Sequence, residues 1–488
     1  MQMYNAQDLS VFAKNIDNLK KQLQENRNKY LVPSYDYLKK IEVIIFDYIR
    51  EKKRKIYGGF AQNQLIIQKK VADRFYDPEE IVDIDFYSPD PVQDIINLCN
   101  KFHDLKLENI MGSEAQHAET YTIFVEFEKV CDISYVPMNV YSRIPFVEID
   151  GIHYCGPHFM MIDLYRAFTD PIVSGIQRWE KTFPRILTLQ KHYPFPQVSK
   201  KIPLPIIKSE STNDTEITSI VHNILHNLAN KKSVIIFGSY AYNCYLQESK
   251  LLNDKNNDMN NFFNYLDNNY IELVSNDYIN DVKSIYNNLH TDIGQRATNL
   301  SVTEFHRFWI LTGYSCIIYY KNIPICRIID YNHICAPIKI IPLTLFDDKG
   351  IVTDDKNTIQ IAAFDYNLVL CMISAFKARV DKDDDQYQYY NIMTSHLVYL
   401  RTYYFKKTGK TMLDETLFQE FITKCIGNTI SPIRASRIEM LKRKSKHKLI
   451  VWKYAPESES RKENHTFNYK NSSGNAISNS NKLRVFKK

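Results

Sequence analysis

Apolar side chains recur every three or four residues in several long stretches of the chain, a spacing typical of helices that bury one face. Two such stretches, from about Leu9 to Tyr30 and from Tyr35 to Lys55, are separated by Pro33 and predict two helices at the amino end. The same spacing predicts further helices over Val92–Phe102, Phe159–Phe168, Ile176–Gln190 and Thr215–Ala229.

Two other stretches predict strands. Residues Ile81–Tyr87 alternate apolar and acidic side chains, which predicts a strand with Asp83 and Asp85 on the same face. The stretch Tyr121–Val136 predicts two strands joined near Glu128. Together with the helices, these strands predict an α+β fold, with a mixed sheet flanked by helices.

Three motifs occur twice in the same order, which predicts an internal duplication. The segment 53–63 shares its glycine, alanine and asparagine with 233–243, and Cys131 has a counterpart in Cys326. The helical stretch 159–168 is repeated around 367–376. Each copy spans roughly 160–200 residues, so each is expected to be a domain.

We therefore expect two tandem domains of one fold, the second degenerate, with extensions at both ends. A stretch rich in proline, lysine and serine is the best linker, and a stretch rich in asparagine, serine and lysine is expected to be disordered. The predicted parts are a helical arm over 1–33, a catalytic domain over 34–195, a linker over 196–214, a degenerate domain over 215–433 and a basic, partly disordered tail over 434–488.

The net charge of +6 averages two unlike parts of the 488-residue chain. The tail from Arg434 holds 15 lysines and arginines against four glutamates, whereas the rest holds 47 basic against 52 acidic residues. Such a tail predicts a polyanionic partner rather than a membrane, although a nuclear address or a solubilising helix is the alternative. The predicted RNA contacts are Arg437, Lys442, Arg443, Lys444, Lys446 and Lys448, with Trp452 and Tyr454 stacking on bases.

Other counts exclude several classes of protein. Neither GxGxxG nor GxxxxGK[ST] occurs, which excludes a Rossmann dinucleotide site and a Walker-type NTPase. Nine scattered cysteines without a CxxC pair indicate a reducing compartment and argue against a disulfide framework or a zinc site. Because no signal sequence or long apolar run occurs, a soluble intracellular protein is expected.

The candidate chemistry lies in Gly58-Gly59, the pair Asp83 and Asp85, and Asp132. Carboxylates this close need a cation, and paired divalent ions about 3.5–4 Å apart serve this purpose in nucleotidyl transfer. A glycine pair at the start of a helix lets backbone amides approach phosphates. These parts predict in-line attack of a hydroxyl on a nucleoside triphosphate, although the acidic pair alone is more often a solvated strand face.

With these motifs, the chain resembles the DNA polymerase β-like nucleotidyltransferases. Within them, the segments IYGGFAQN and VDIDFYSPDP are similar to the poly(A) polymerase catalytic subunits of poxviruses and giant DNA viruses. The resemblance implies Mg²⁺ or Mn²⁺ on Asp83, Asp85 and Asp132, and transfer of AMP from ATP to RNA 3′ ends in mRNA polyadenylation. The residues it implies for ATP binding are Gly58, Gly59, Asn63, Lys69 and Lys70.

The second copy lacks the acidic residues of the first. If Glu272 matches Asp83, then Val274 replaces Asp85 and Arg327 replaces Asp132. An arginine at a metal-ligand position repels the ion, so we expect a catalytically dead copy. Under a shifted alignment, the acidic replacements would be Asp277 and Asp330.

Two alternatives to a poly(A) polymerase remain open from the sequence. One is another RNA nucleotidyltransferase, of the tRNA-end or oligoadenylate type, and the other is a non-catalytic RNA-binding pseudoenzyme. The relatives in poxviruses work with a separate processivity subunit, and the alternatives for this chain are such a subunit, self-association in a homodimer or its own tail. The resemblance places the protein in the host cytoplasm, at the viral factory, and in the virion.

Overall fold

The computed structural model describes residues 3, 5–30, 33–117, 119–170, 172, 175–203, 214–267, 269–331, 334–347, 350–422, 424–445, 451–457 and 473–477. Contacts within the chain define two units. Unit 1 comprises residues 1–136, 145–156 and 432–469, and unit 2 comprises residues 137–144, 157–431 and 470–488.

Both units combine helices with strands. The helices are α1 (Ala6–Tyr30), α2 (Tyr35–Lys52), α3 (Gly58–Lys69), α4 (Pro91–Asp104), α5 (Met138–Tyr141), α6 (Pro157–Thr169), α7 (Gly175–His192), α8 (Asp214–Leu228), α9 (Ser239–Ser249), α10 (Tyr278–Ile293), α11 (Phe364–Asp381), α12 (Asp384–Thr408) and α13 (Pro432–Ser445). The strands are β1 (Lys55–Tyr57), β2 (Ile84–Ser88), β3 (Met111–Glu114), β4 (Thr120–Val125), β5 (Glu128–Tyr135), β6 (Phe146–Ile149), β7 (Ile152–Cys155), β8 (Val234–Phe237), β9 (Ile271–Ser275), β10 (Leu300–Phe305), β11 (Ser315–Tyr320), β12 (Ile323–Asp330), β13 (Ala336–Asp347), β14 (Gly350–Ala362), β15 (Cys425–Ile426) and β16 (Lys453–Tyr454).

Unit 1 is built on a mixed sheet in the order β16-β3-β4-β5-β2-β1-β7-β6. Strand β2 runs parallel to β5, and β1 runs parallel to β7. Helix α4 packs against β3, β4 and β5 and buries one face of the sheet. On this face, Gly112 of β3 leaves room for Ile95 of α4, because a Cβ at Gly112 would collide with the Ile95 side chain. The opposite face of the central strands is therefore the one open to chemistry.

Helix α2 ends earlier than the predicted Lys55. Lys53 adopts a left-handed conformation with φ of 52°, and the backbone N–H of Arg54 donates to the carbonyl of Ile49. This Schellman-type end stops the helix at Lys52 and releases the next residues to form β1. The turn thus joins α2 directly to the strand that leads into the glycine pair.

Unit 2 repeats the topology of unit 1, which confirms the predicted tandem fold. Its sheet has the order β10-β11-β12-β9-β8-β14-β13-β15. Strand β9 runs parallel to β12, as β2 does to β5, and β8 runs parallel to β14, as β1 does to β7. Helix α11 follows β14 as α6 follows β7, so the repeated helical stretch occupies the same place in chain order.

The contacts divide the chain differently from the predicted domain ranges. Helices α6 and α7, predicted within 34–195, belong to unit 2, where α6 packs against α11. Part of the predicted tail, including α13 and β16, belongs to unit 1. Residues 204–213 of the predicted linker and 458–472 and 478–488 of the predicted disordered tail lie outside the described residues.

The cysteines differ from the expectation in one respect. Cys335 and Cys425 are paired as a disulfide, with Cα atoms 5.2 Å apart and a separation of 90 positions in the chain. The sequence could not predict this pair, because only the pairing of β13 with β15 brings the two residues together. The other seven cysteines are buried and form no disulfide. Among the described helices, none is long and apolar enough to cross a membrane.

Candidate active site

Asp85 and Asp132 lie side by side on the open face of the unit 1 sheet. They are direct partners in the parallel pairing of β2 with β5. Tyr57 of β1 is the partner of Asp85 on one side, and Thr122 of β4 is the partner of Asp132 on the other. Partners in register project from the same face of a sheet, so the four side chains share one surface. The structure thus brings together two of the three predicted catalytic carboxylates.

Hydroxyl groups fix the side chains around these carboxylates. The Oγ1 of Thr122 donates to Oδ1 of Asp132 at 2.6 Å. Two residues farther along β5, the hydroxyl of Ser134 is 2.8 Å from that of Tyr57, and the Tyr57 ring stacks on Tyr87 with centroids 3.8 Å apart. Thr122 could not be predicted from the sequence as an orienting residue, because its pairing with Asp132 depends on strand register.

Asp83 is the third predicted carboxylate, and it lies just before β2 rather than within it. The strand was predicted from Ile81 but begins at Ile84. The physical reason is that its neighbour β1 ends at Tyr57, where helix α3 begins, so residues before Ile84 have no partner on that side. The Asp83 side chain is 56% exposed and therefore has more freedom than a ligand fixed on a strand.

The ammonium group of Lys129 links Asp83 to Asp132. Its Nζ is 3.1 Å from Oδ2 of Asp83 and 2.9 Å from Oδ2 of Asp132. Burial opposes the charge on this lysine, but the hydrogen bond to Asp132 and the charges of both carboxylates raise its pKa above the usual range. Lys129 is therefore a cation held between two predicted metal ligands. Its position beside them could not be predicted from the sequence, because it depends on the irregular pairing of β4 with β5.

Gly58 forms the turn between β1 and α3, close to Asp85. Its φ is +74°, and a Cβ there would lie 2.7 Å from Oδ2 of Asp85. Only glycine allows both this backbone conformation and this approach. Helix α3 begins at Gly58, so the unpaired amides of its first turn lie beside the carboxylate face, where an anion can bind.

If the site catalyses the AMP transfer that the resemblance implies, we expect Gly58→Ala to lower its rate about a hundredfold, because the new methyl group displaces the Asp85 carboxylate. Gly151→Ala is the matched control. Gly151 also has a positive φ, +76°, but a Cβ there would meet only Arg50, at 3.4 Å. Single-turnover primer extension compares the variants, and equal rates for Gly58→Ala and wild type would contradict the assigned contact.

Gly59 follows Gly58 in the first turn of α3, whereas the other predicted ATP-binding residues lie away from this turn. The buried Oδ1 of Asn63 accepts the backbone N–H of Phe75 at 2.6 Å, so it anchors the segment after α3. Asn243 holds Leu266 in the same way in unit 2, which explains why asparagine is repeated. Lys69 and Lys70 lie at the far end of α3, about 16 Å along the helix from Gly58. Their ATP contacts, like that of Asn63, stay predictions.

The corresponding place in unit 2 corrects the alignment made from the sequence. Glu272 and Arg327 are direct partners in the parallel pairing of β9 with β12, so Glu272 stands where Asp85 does, not Asp83. The position of Asp83 then falls on Tyr270. A Cβ at Gly238 would collide with Glu272, as one at Gly58 would with Asp85, which supports this alignment. The shift of two residues is visible only in the strand register.

Glu272 is buried and is engaged by neighbours within unit 2. Its Oε1 accepts the hydroxyl of Tyr390 at 2.7 Å and lies 3.4 Å from Nη1 of Arg327. Burial raises the pKa of Glu272, and the charge of Arg327 opposes this shift. With an arginine in place of Asp132, the described residues of this second site do not form a carboxylate pair.

Trp452 and Tyr454, predicted to stack on RNA bases, are buried in unit 1. Tyr454 lies on β16 and Trp452 directly precedes this strand, which pairs with β3 at the edge of the sheet. Tyr454 is 1% exposed and Trp452 is 8% exposed, with the Trp452 ring edge-on to Tyr121. The prediction was wrong for these two aromatics, because the sequence does not show that the segment returns to a sheet more than 300 residues earlier.

The residues present fit a divalent cation. Two of the three carboxylates already share one cationic group, and carboxylate oxygen is the donor that Mg²⁺ and Mn²⁺ prefer. No group of three metal-ligating side chains is gathered around one point among the described residues. A glycine turn that opens a helix beside paired strands, with one carboxylate on each strand, is the arrangement that the resemblance to the nucleotidyltransferases leads one to expect.

Comparisons with known proteins identify the family. The models "Poly(A) polymerase catalytic subunit" and "APMV, Putative poly(A) polymerase, catalytic subunit, C-terminal" match residues 43–174 and 211–488. A protein of Acanthamoeba polyphaga mimivirus, "Putative poly(A) polymerase catalytic subunit", is 35% identical over 97% of this chain and 83% of its own length. One of the same description from African swine fever virus (isolate Pig/Kenya/KEN-50/1950) is 26% identical over 32% of this chain and 34% of its own length.

A solved structure agrees with these matches. The "Crystal structure of the Megavirus polyadenylate synthase" aligns with a TM-score of 0.85 and 32% identity, over 99% of this chain and 94% of that chain. The chain therefore belongs to the family of poly(A) polymerase catalytic subunits. This confirms the resemblance and the fold class inferred from the sequence.

Proposed function

We propose that the chain is a template-independent poly(A) polymerase that transfers AMP from ATP to the 3′-hydroxyl of RNA and releases pyrophosphate. Membership of the family supports this reaction. One observation carries the mechanism: Asp85 lies beside Asp132 on parallel strands, and Asp132 already shares a cationic group with Asp83. A carboxylate cluster beside a helix start suits a reaction that moves a phosphoryl group between oxygens.

In this proposal, Asp83, Asp85 and Asp132 hold Mg²⁺ or Mn²⁺. Bound divalent ions would neutralise the triphosphate and favour ionisation of the attacking hydroxyl. The protein itself positions the reactants. Thr122 orients Asp132, and the first turn of α3, opened by Gly58, binds a phosphate through its backbone amides.

The proposed RNA contacts lie on α13 and after it. Arg437 and Lys442 are exposed on this helix, and Arg443 and Lys444 belong to the same helix. Lys446 and Lys448 lie outside the described residues. Lysine and arginine on an exposed helix neutralise backbone phosphates without reading sequence, as a grip on a growing poly(A) chain requires.

A primer-extension assay tests the proposed reaction against its alternatives. Labelled RNA is incubated with Mg²⁺ or Mn²⁺ and each nucleoside triphosphate separately. We expect a long ladder with ATP alone. Two or three added nucleotides would favour a tRNA-end or oligoadenylate type of enzyme, and no extension under any condition would favour the pseudoenzyme.

Two finer statements belong to this proposal. The first is a second chain, either another copy or a separate processivity subunit, for which the words "catalytic subunit" in the family description are the support. The second is a place of action in the host cytoplasm, at the viral factory, and in the virion. Light scattering of the purified chain distinguishes a homodimer from a monomer, and a monomer would leave a separate subunit or the chain's own tail as the source of processivity.

A further inference from the structure

Lys129 stands where the proposed site needs positive charge. Its Nζ lies within 3.1 Å of carboxylate oxygens from both Asp83 and Asp132. These residues come from separate places in the chain, and two carboxylates at such a distance from one point repel each other unless a cation lies between them. The ammonium group therefore does in this structure what a bound metal ion would do.

A β-bulge places Lys129 on the catalytic face. In the pairing of β4 with β5, Ile123 is opposite Cys131, but the next residue, Phe124, is opposite Lys129. Val130 is thus the extra residue of the bulge. It places Lys129 on the same face as Asp132, although Lys129 and Asp132 are three positions apart in the strand. Without the bulge, alternation along the strand would point the lysine into the opposite face.

Unit 2 keeps the bulge and changes the charges. In the pairing of β11 with β12, Ile318 is opposite Cys326 and Tyr319 is opposite Pro324. Pro324 therefore corresponds to Lys129. The positive charge is provided instead by Arg327, whose guanidinium lies 3.4 Å from Glu272. In both units a basic side chain neutralises a carboxylate on the sheet, but in unit 2 this side chain, Arg327, occupies the position that Asp132 has in unit 1.

We infer that Lys129 is a built-in counter-cation of Asp83 and Asp132 and competes with a divalent ion for both carboxylates. Lys129 is 36% exposed, so its flexible side chain has room to swing out. The hydrogen bond from Thr122 keeps Asp132 in place when Lys129 moves away. The lysine is thus a positioning residue that sets the affinity for metal. This inference rests on the proposed function, since it needs the three carboxylates to be the metal ligands.

The test measures Mn²⁺ binding by electron paramagnetic resonance and melting temperature in EDTA, both on the full chain. We expect Lys129→Met to bind Mn²⁺ roughly fivefold more tightly, because no ammonium competes, and to melt about 2 °C lower without metal. Lys129→Arg should keep the wild-type melting temperature in EDTA. The matched control is Lys39→Met, which removes a lysine 2.6 Å from Glu42 on α2 and should leave Mn²⁺ affinity unchanged.

Asp85→Asn separates failure of the inference from failure of the proposed site. If wild type shows no Mn²⁺ site that Asp85→Asn removes, the proposed metal site is wrong and the inference falls with it. If that site exists but Lys129→Met binds Mn²⁺ equally or more weakly, the site stands and the role of Lys129 is overturned. Tighter binding by Lys129→Met and not by Lys39→Met supports it.

Discussion

Asp85→Asn should reduce AMP incorporation at least about a thousandfold while the protein stays folded. Asparagine has nearly the shape of aspartate but lacks the charge that a divalent ion needs. Asp85 lies between Tyr57 and Asp132 in the sheet, so its loss removes one of the two carboxylates that face each other on the paired strands. Single-turnover extension of a labelled RNA primer measures the rate, and circular dichroism checks the fold.

Glu272→Gln is the matched control, since Glu272 occupies the same register position in unit 2. A glutamine oxygen can still accept from Tyr390 and Arg327, so the local packing is preserved. We expect a wild-type rate of AMP incorporation. A loss in Glu272→Gln as large as that in Asp85→Asn would contradict the assignment of catalysis to unit 1 alone.

Local patterns in the sequence were sufficient for the centre of the site. The alternation around Asp85 predicted a strand, and a glycine pair between a strand and a helix predicted the turn at Gly58. Both rest on interactions between near neighbours in the chain, which is why they can be predicted. The sequence also predicted that Asp132 comes from a second strand beside Asp85, whereas their direct pairing depends on the register of β2 and β5.

Features that depend on register or distant partners were beyond the sequence. Alternation would place Lys129 and Asp132 on opposite faces, and only the bulge at Val130 reverses this. Glu272 was aligned two residues away for the same reason, since register is a property of the pair of strands and not of either one. The loop-anchoring role of Asn63 likewise involves residues 12 and 13 positions away.

The carboxyl-terminal segment combines basic residues on α13 with a strand, β16, that belongs to the unit 1 sheet. Its charge pattern indicated an RNA grip, and α13 does carry exposed basic residues. The same segment then continues into β16, which extends the unit 1 sheet next to β3. Removing the whole segment would therefore disturb the folding of unit 1 together with the proposed RNA binding, so a truncation cannot test the RNA-binding proposal by itself.

Tyr454→Ala should lower the free energy of unfolding of unit 1 by about 3–5 kcal/mol, the usual cost of truncating a buried aromatic residue. Tyr454 is 1% exposed, and its hydroxyl donates to Oδ1 of Asn100 on α4. The lost ring leaves a cavity beneath β16 and a polar group without its partner. Urea denaturation measures the loss, and faster hydrogen exchange in β3 would locate it.

The variant Arg437→Gln with Lys442→Gln is the counterpart that tests RNA binding alone. Both side chains are exposed on α13, so the stability of unit 1 should not change. We expect weaker binding of single-stranded RNA and a salt dependence reduced by about 1.4 in the log–log slope, since each lost phosphate contact removes about 0.7. If Tyr454→Ala instead weakened RNA binding without loss of stability, the result would support the original prediction that this aromatic residue stacks on RNA bases. The two variants therefore test the two roles separately: Tyr454→Ala tests the packing of the segment against unit 1, and Arg437→Gln with Lys442→Gln tests its charge contacts with RNA.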